Sequence, residues 1–516
     1  MTGVKRSITL AGLAWAMFSF PALANDPLSA IEWLEKRPKQ IVVPLSEFPQ
    51  SNTIDEPAVA GSVVTPQVTV SPLGAPVRAA AGLLPSNVTG LPRTLWQGSD
   101  VETLTTLMSA IDVEQHPALQ SLLYTLLLAE ADPPQTDQNE SFIRARVQKL
   151  LELGALDPAT ALLERADPAH VDLFKLYFDV SLLNGNAEAP CEALRRNPNL
   201  SRDFAPRIYC DALGQKWDSA ALTLATADAI GALEPLDVAL LEGFLDPELF
   251  DTVPPVPQRP TVLQFRLFEA IGEALPTSSL PREFTATDIS GDAGWKPQLD
   301  AAERLARVGA ISENRLLGIY TSRIPSASGG IWDRVESMQR LETALKSGDP
   351  TAILKQLKRA WGKVKEANLE VPIATLFSQD LLRLPSTGAD ADLISRIALL
   401  SPDYESVAQR ETSDATLKVA QSIAIGEPEA DSTVLISAAI EAGFSGSGAP
   451  ARLSEMVADN RLGEAILRAM ALTASGAAGD SAALQSGLAF LRSVGLEDTA
   501  RRTALQVLLL ERRDQG

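Results

Sequence analysis

Histidine and cysteine each occur only twice in the 516 residues, and aromatic side chains make up 5% of the chain. The two histidines, His116 and His170, lie far apart, each beside a proline-marked helix boundary. That placement suits solvent-facing or capping roles and disfavours a two-histidine metal site or a His-containing triad. Scarce aromatics, against Ala and Leu recurring in every segment after residue 100, disfavour sandwiches and barrels and suit helices. Beyond the first two dozen residues no segment is both long and uncharged enough to span a bilayer. Motifs are missing too. There is no Gly-x-Gly-x-x-Gly, and Gly362-Lys363 lacks the earlier glycine of a phosphate-binding loop. No lysine follows a serine by three positions, and the stretch from Gly443 to Pro450 lacks the closing glycine of a nucleophile elbow. No catalytic, cofactor or metal residue is therefore expected. One enzymatic class stays open: paired carboxylates for sugar hydrolysis need only meet in space, and the chain has 65 Asp and Glu.

Basic charge is in deficit. The net charge is −20 and the pI near 4.7, a field that repels nucleic acid and anionic lipid, so no nucleic-acid partner is expected. At the N-terminus, Lys5 and Arg6 precede an uncharged apolar stretch from Ile8 to Phe20, then Pro21, Ala22, Leu23 and Ala24. This predicts a signal peptide over 1–24 with Asn25 as the new N-terminus, and a mature chain, periplasmic or secreted, with no membrane span. Cleavage would remove two positive charges and take the net charge to −22. In an oxidising compartment the even pair Cys191 and Cys210 reads as a disulfide. Asn197, Pro198 and Asn199 turn the chain between two helical stretches and bring both thiols to similar heights. The rival, a redox or metal-binding pair, lacks a Cys-x-x-Cys spacing and a nearby histidine.

The remainder divides into four. Residues 25–90 predict one short helix from Asp26 to Arg37, with Leu28, Ile31 and Leu34 on one face and Trp33 beside it, then a disordered linker rich in Pro, Val, Ser and Thr. Residues 91–252 form an N-terminal helical array and 296–516 a C-terminal one. A Pro-rich connection, 253–295, joins them and carries a helix from Thr261 to Leu275.

The arrays are hairpins. Ile143, Val147, Leu150 and Leu151 form one apolar stripe, Gly154 ends that helix, and Ala159, Leu162, Leu163 and Ala166 form the buried face of the next. The spacing from Gly154 to Ala159 recurs from Asn460 to Ala465 and from Gly495 to Ala500. A left-handed residue ends the first helix, and a small residue lets the second approach closely. The pattern resembles the tetratricopeptide repeat and related helical-hairpin repeats. The resemblance implies an all-α, solenoid-like array in one or two segments, whose concave face binds peptides or proteins.

The functional expectation is a non-catalytic periplasmic scaffold or adaptor for an envelope protein or peptide. Candidate contact residues are Leu28, Ile31, Trp33 and Leu34, and the basic stretch Lys355, Lys358, Arg359 and Lys363 around Leu357, Trp361 and Val364. That basic run also reads as one solvated helix face. The stretch from Ser326 to Gly330 opens a helix near Ile331, where backbone amides and Arg334 could meet an anion, or simply turn the chain over a buried Trp332. The alternative function is an envelope enzyme acting on cell-wall glycan, with the array as its non-catalytic part. Ice binding requires threonines at regular repeats on a flat face, and Thr103, Thr105, Thr106, Thr223 and Thr226 form isolated groups.

Overall fold

A helix begins where some group replaces the partners that its first-turn amides lack. Asp100, Ser312, Asp414 and Asp480 each accept from the amide three residues on, and Thr261 and Gln264 form a reciprocal capping box. The computed structural model describes residues 78–510, apart from 250–252, 291–292 and 446–448. Among these residues are twenty-four α-helices and no strand, with one isolated bridge between Leu84 and Ala129. The fold is all-α, as the composition predicts.

The hairpin turn repeats in detail. Gly154, Asn460 and Gly495 all take positive φ, and Ala159, Ala465 and Ala500 are fully buried five residues later. A fourth copy escapes a glycine search: Gln215, at φ 60°, is followed by the buried Ala220. In each turn the amide after the left-handed residue reaches back five positions. Ala155 donates to Leu150, Lys216 to Asp211, Arg461 to Met456 and Leu496 to Leu491, all at 2.9 Å. That bond satisfies a carbonyl the helix end would otherwise leave open, and it fixes the direction of the next helix.

The predicted stripes are core: Ile143, Val147, Leu150, Ala159, Leu162 and Leu163 are shut from solvent. Inside the 253–295 stretch, Val262–Ala270 packs on Val171–Leu183, and Arg282–Ser290 packs on Trp295–Ala306. The first of these two ends earlier than the run to Leu275 predicts, because Gly272 turns left-handed.

The described residues form one unit whose beginning meets its end. Gly463 donates to the Leu95 carbonyl at 2.9 Å and Gly98 to that of Asn460 at 3.0 Å. Trp96 is fully buried, and a Cβ on Gly463 would overlap its indole. Further along, the Ala118 amide donates to Oε1 of Gln506 at 2.8 Å.

One sequence boundary is corrected. Residues 78–90, assigned above to the linker, lie against the array. Leu83 and Leu84 donate to the Leu128 carbonyl, and Glu130 donates to that of Leu84. The cause is Arg146, fully buried, which donates to the carbonyls of Leu127, Ala129 and Ala81 at 2.7 to 2.9 Å. Among the described residues no carboxylate pairs with it, and burial pulls the guanidinium down to about 9. A linker reading rests on local composition, and the residue that captures this segment lies some sixty positions away. The signal peptide, the Asp26 to Arg37 segment with Leu28, Ile31, Trp33 and Leu34, and the rest of the linker lie outside the described residues.

Candidate functional site

Cys191 and Cys210 are joined across the Glu188–Arg196 and Phe204–Leu213 helices, with Cα atoms 5.1 Å apart. Both are buried, so the bond fixes the root of the next hairpin.

That hairpin is unusually bare. In Trp217–Ala229 only Ala220, Leu224 and Ala227 are buried. Most large hydrophobic side chains elsewhere point inward, whereas Leu213, Trp217, Leu222 and Ile230 stand 45%, 49%, 71% and 65% exposed. Val253 and Val256 are exposed as well. Six of the eleven large exposed hydrophobic residues among those described therefore lie between Leu213 and Val256. Exposed single apolar residues need no explanation, but a concentration in one stretch of the chain does. The same stretch is acidic: residues 211–250 hold eight Asp and Glu against one basic residue, Lys216.

Ile230 leads directly into the wall of a groove. This groove, about 460 Å³, lies among the N-terminal ends of the Phe204–Leu213, Pro235–Leu245 and Val262–Ala270 helices and the side of Val171–Leu183. Phe174, Phe178, Phe204, Leu233 and Leu263 supply its apolar lining. Asp179, Asp203, Glu234 and Asp237 bring four carboxylates to it, against Lys175 and Arg202. Lys175 pairs with Asp179 at 2.9 Å, and Asp237 accepts from Gln264 at 2.8 Å. Burial nevertheless raises the Asp179 carboxyl above its ordinary range.

A second cavity, about 190 Å³, forms where four distant segments converge. His116, Arg307, Glu370 and Arg502 border it, with Glu114 and Gln506. Several of these charges are engaged inside the chain: Glu114 with Arg282 at 2.8 Å, and Arg307 with the Ala367 carbonyl at 2.7 Å and with Glu303. His170, the other histidine, sits half-buried 3.6 Å from Asp172.

The basic stretch occupies Pro350–Lys365, with Leu357, Trp361 and Val364 facing inward. Lys358 pairs with Asp390 at 2.6 Å, Arg359 with Glu336 at 3.4 Å and Lys363 with Glu366 at 3.1 Å, while Lys355 is exposed. The helix opened by Gly330 does begin at Ile331, but Arg334 turns inward. It makes two 2.6 Å bonds to buried Glu303, which also accepts from Tyr320. The Gly329 amide donates to Asp333, so the anion reading of this turn is not carried: its guanidinium and one of its amides have partners within the chain.

Among the described residues no three His, Cys, Asp or Glu side chains gather in a metal-ligating set, and no helix is long and apolar enough to cross a membrane. The bare face and the groove escape sequence reading because helical periodicity marks apolar stripes without saying which of them find a neighbour. The one available signal was the run of acids around an Ala- and Leu-rich helix. Comparison of the chain with protein-family models, with curated proteins and with solved structures finds no match.

Proposed function

We propose that the chain is a non-catalytic adaptor of the cell envelope that binds a protein or peptide partner through the 171–263 part of its helical array. The observation that carries this reading is the concentration of exposed apolar side chains on Trp217–Ala229 and its flanks. Trp217 and Leu222 have the character of interface anchors: large, apolar and already held on a rigid helix, so little side-chain entropy is lost on binding. The export pattern over residues 1–24 and the Cys191–Cys210 bond support an oxidising compartment. The repeated left-handed turn with its small residue five positions on supports a tetratricopeptide-like array.

The test is site-specific photo-cross-linking in the cell of origin, with the reactive group at position 222 and a control at exposed Asp380, outside the 171–263 part. A discrete adduct at 222 that Trp217→Ala removes supports the proposal. Equal adducts at both positions, or none at 222, overturn it.

A further inference from the structure

The groove's chemistry identifies the partner more closely, and the argument rests on the docking reading above. Its apolar lining alone would accept any hydrophobic segment. Its carboxylates would not. Asp203 and Glu234 stand at the N-caps of Phe204–Leu213 and Pro235–Leu245, where an acidic side chain ordinarily bends back to its own helix. Neither makes a side-chain cap bond. Both carboxylates thus remain at the groove, unlike Asp179 and Asp237, which already have partners. Carboxylates held beside an aromatic and aliphatic lining favour a cation carried on an apolar stem, because the stem can bury while its charge meets the acids.

The surroundings favour the same sign. Eight acids to one lysine over 211–250 give a field that draws in positive segments and holds off negative ones. A second copy of this chain carries the same acidic face, so the field opposes self-association here. We propose that the groove receives a lysine or arginine side chain from a basic amphipathic segment of the partner, whose apolar face lies against the exposed Leu222 and Ile230.

The probe is a fluorescein-labelled fifteen-residue peptide of Leu and Lys in helical amphipathic register. Its two controls replace every Lys by Glu or by norleucine. Binding to the full mature protein is read by anisotropy. The Lys peptide should bind, the Glu peptide should not, and the norleucine peptide should bind more weakly. Asp203→Asn/Glu234→Gln should weaken the Lys peptide by about tenfold, as expected for losing charge pairs at a partly buried contact. Neither change removes a cap bond or a buried group, and an unchanged melting temperature verifies the fold. A control pair, Glu342→Gln/Asp380→Asn, removes the same charge elsewhere and should leave affinity unchanged. Equal weakening by both pairs would assign the effect to net charge and overturn the groove assignment. So would an unchanged affinity in Asp203→Asn/Glu234→Gln, equal binding of the Glu peptide, or no binding of the Lys peptide. The cross-link at position 222 does not depend on the probe, so a failed peptide experiment leaves the docking reading to its own result.

Discussion

The region where the described chain closes on itself and the region from 171 to 263 are built from the same hairpin turn and treat their surfaces in opposite ways. At the closure, Trp96 fills the space left by Gly463, and carboxylates meet guanidinium groups. Glu464 is fully buried between Arg461 and Arg468, each at 2.8 Å. Burial alone would push that carboxyl up, but the hydrogen bonds from Arg468 and Arg461 outweigh it and hold it below the usual range. In the other region Asp179 is pushed up by burial, worsened by neighbouring Asp203, while Trp217 and Leu222 face solvent. A surface optimised for its own fold satisfies its charges and covers its apolar groups; one kept for another molecule leaves both undone. The contrast supports the proposal that the second region receives a partner.

Breaking the closure should have the largest effect. Trp96→Ala empties a fully buried site and should cost about 4 kcal/mol, read as a fall in the urea midpoint. Trp96→Phe should cost much less, since the indole Nε1 has no partner to lose. A midpoint that Ala leaves unmoved would mean the two ends are not coupled.

Next is Glu464→Gln. It leaves two guanidinium groups facing a neutral amide and should cost about 3 kcal/mol at neutral pH. The pH dependence has a definite sign. Because the folded carboxyl is held below its ordinary value, its contribution is full above about pH 4.3 and drains away as pH falls through the lowered value. The cost of the variant should therefore shrink on acidification. Asp179 runs the other way: its raised value penalises the charged fold near neutrality, and the penalty lifts as pH falls. A cost that stayed constant from about pH 6 to about pH 3 would break this half of the comparison.

The disulfide comes third. Reducing Cys191–Cys210, a separation of 19 residues, should cost between about 2 and 3 kcal/mol. Hydrogen exchange should show where: amides over 188–229 should lose protection while those around Trp96 and Gly463 keep theirs. Equal loss in both regions would show that they unfold as one unit.

Much of this architecture was legible from the residues. Gly154, Asn460 and Gly495 announced their turns because left-handed backbone favours Gly and Asn, and the even cysteine pair announced its bond. Gln215 performs the same turn without either residue type, since five-back hydrogen bonding and tertiary packing can hold a side chain at φ 60°. Arg146 reads as an ordinary helix arginine until Ala81, Leu127 and Ala129 are brought around it. The bare face was hidden for a related reason. The sequence of Trp217–Ala229 has the Ala, Leu and Trp of a core helix, and only the absence of a covering neighbour makes Leu222 a surface residue.

The smallest effect on stability should come from that face, and it is the most telling. Leu222 is 71% exposed, so Leu222→Ser removes little burial and should shift stability by less than about 0.5 kcal/mol. Trp217→Ala, at 49% exposure, should cost somewhat more through the contacts its buried half retains. Were these side chains part of the fold's own economy, removing them would lower the melting temperature in proportion to the area lost. If instead they are held for a partner, stability stays level, solubility rises, and partner affinity falls by a factor of ten or more, because an interface anchor contributes about 2 kcal/mol or above. The two measurements separate the readings cleanly: melting temperature of Leu222→Ser by calorimetry, and cross-link yield of Trp217→Ala from position 222. A stable protein with undiminished cross-linking would mean that the exposed strip is merely tolerated, and the contrast between the two regions would then be one of packing alone.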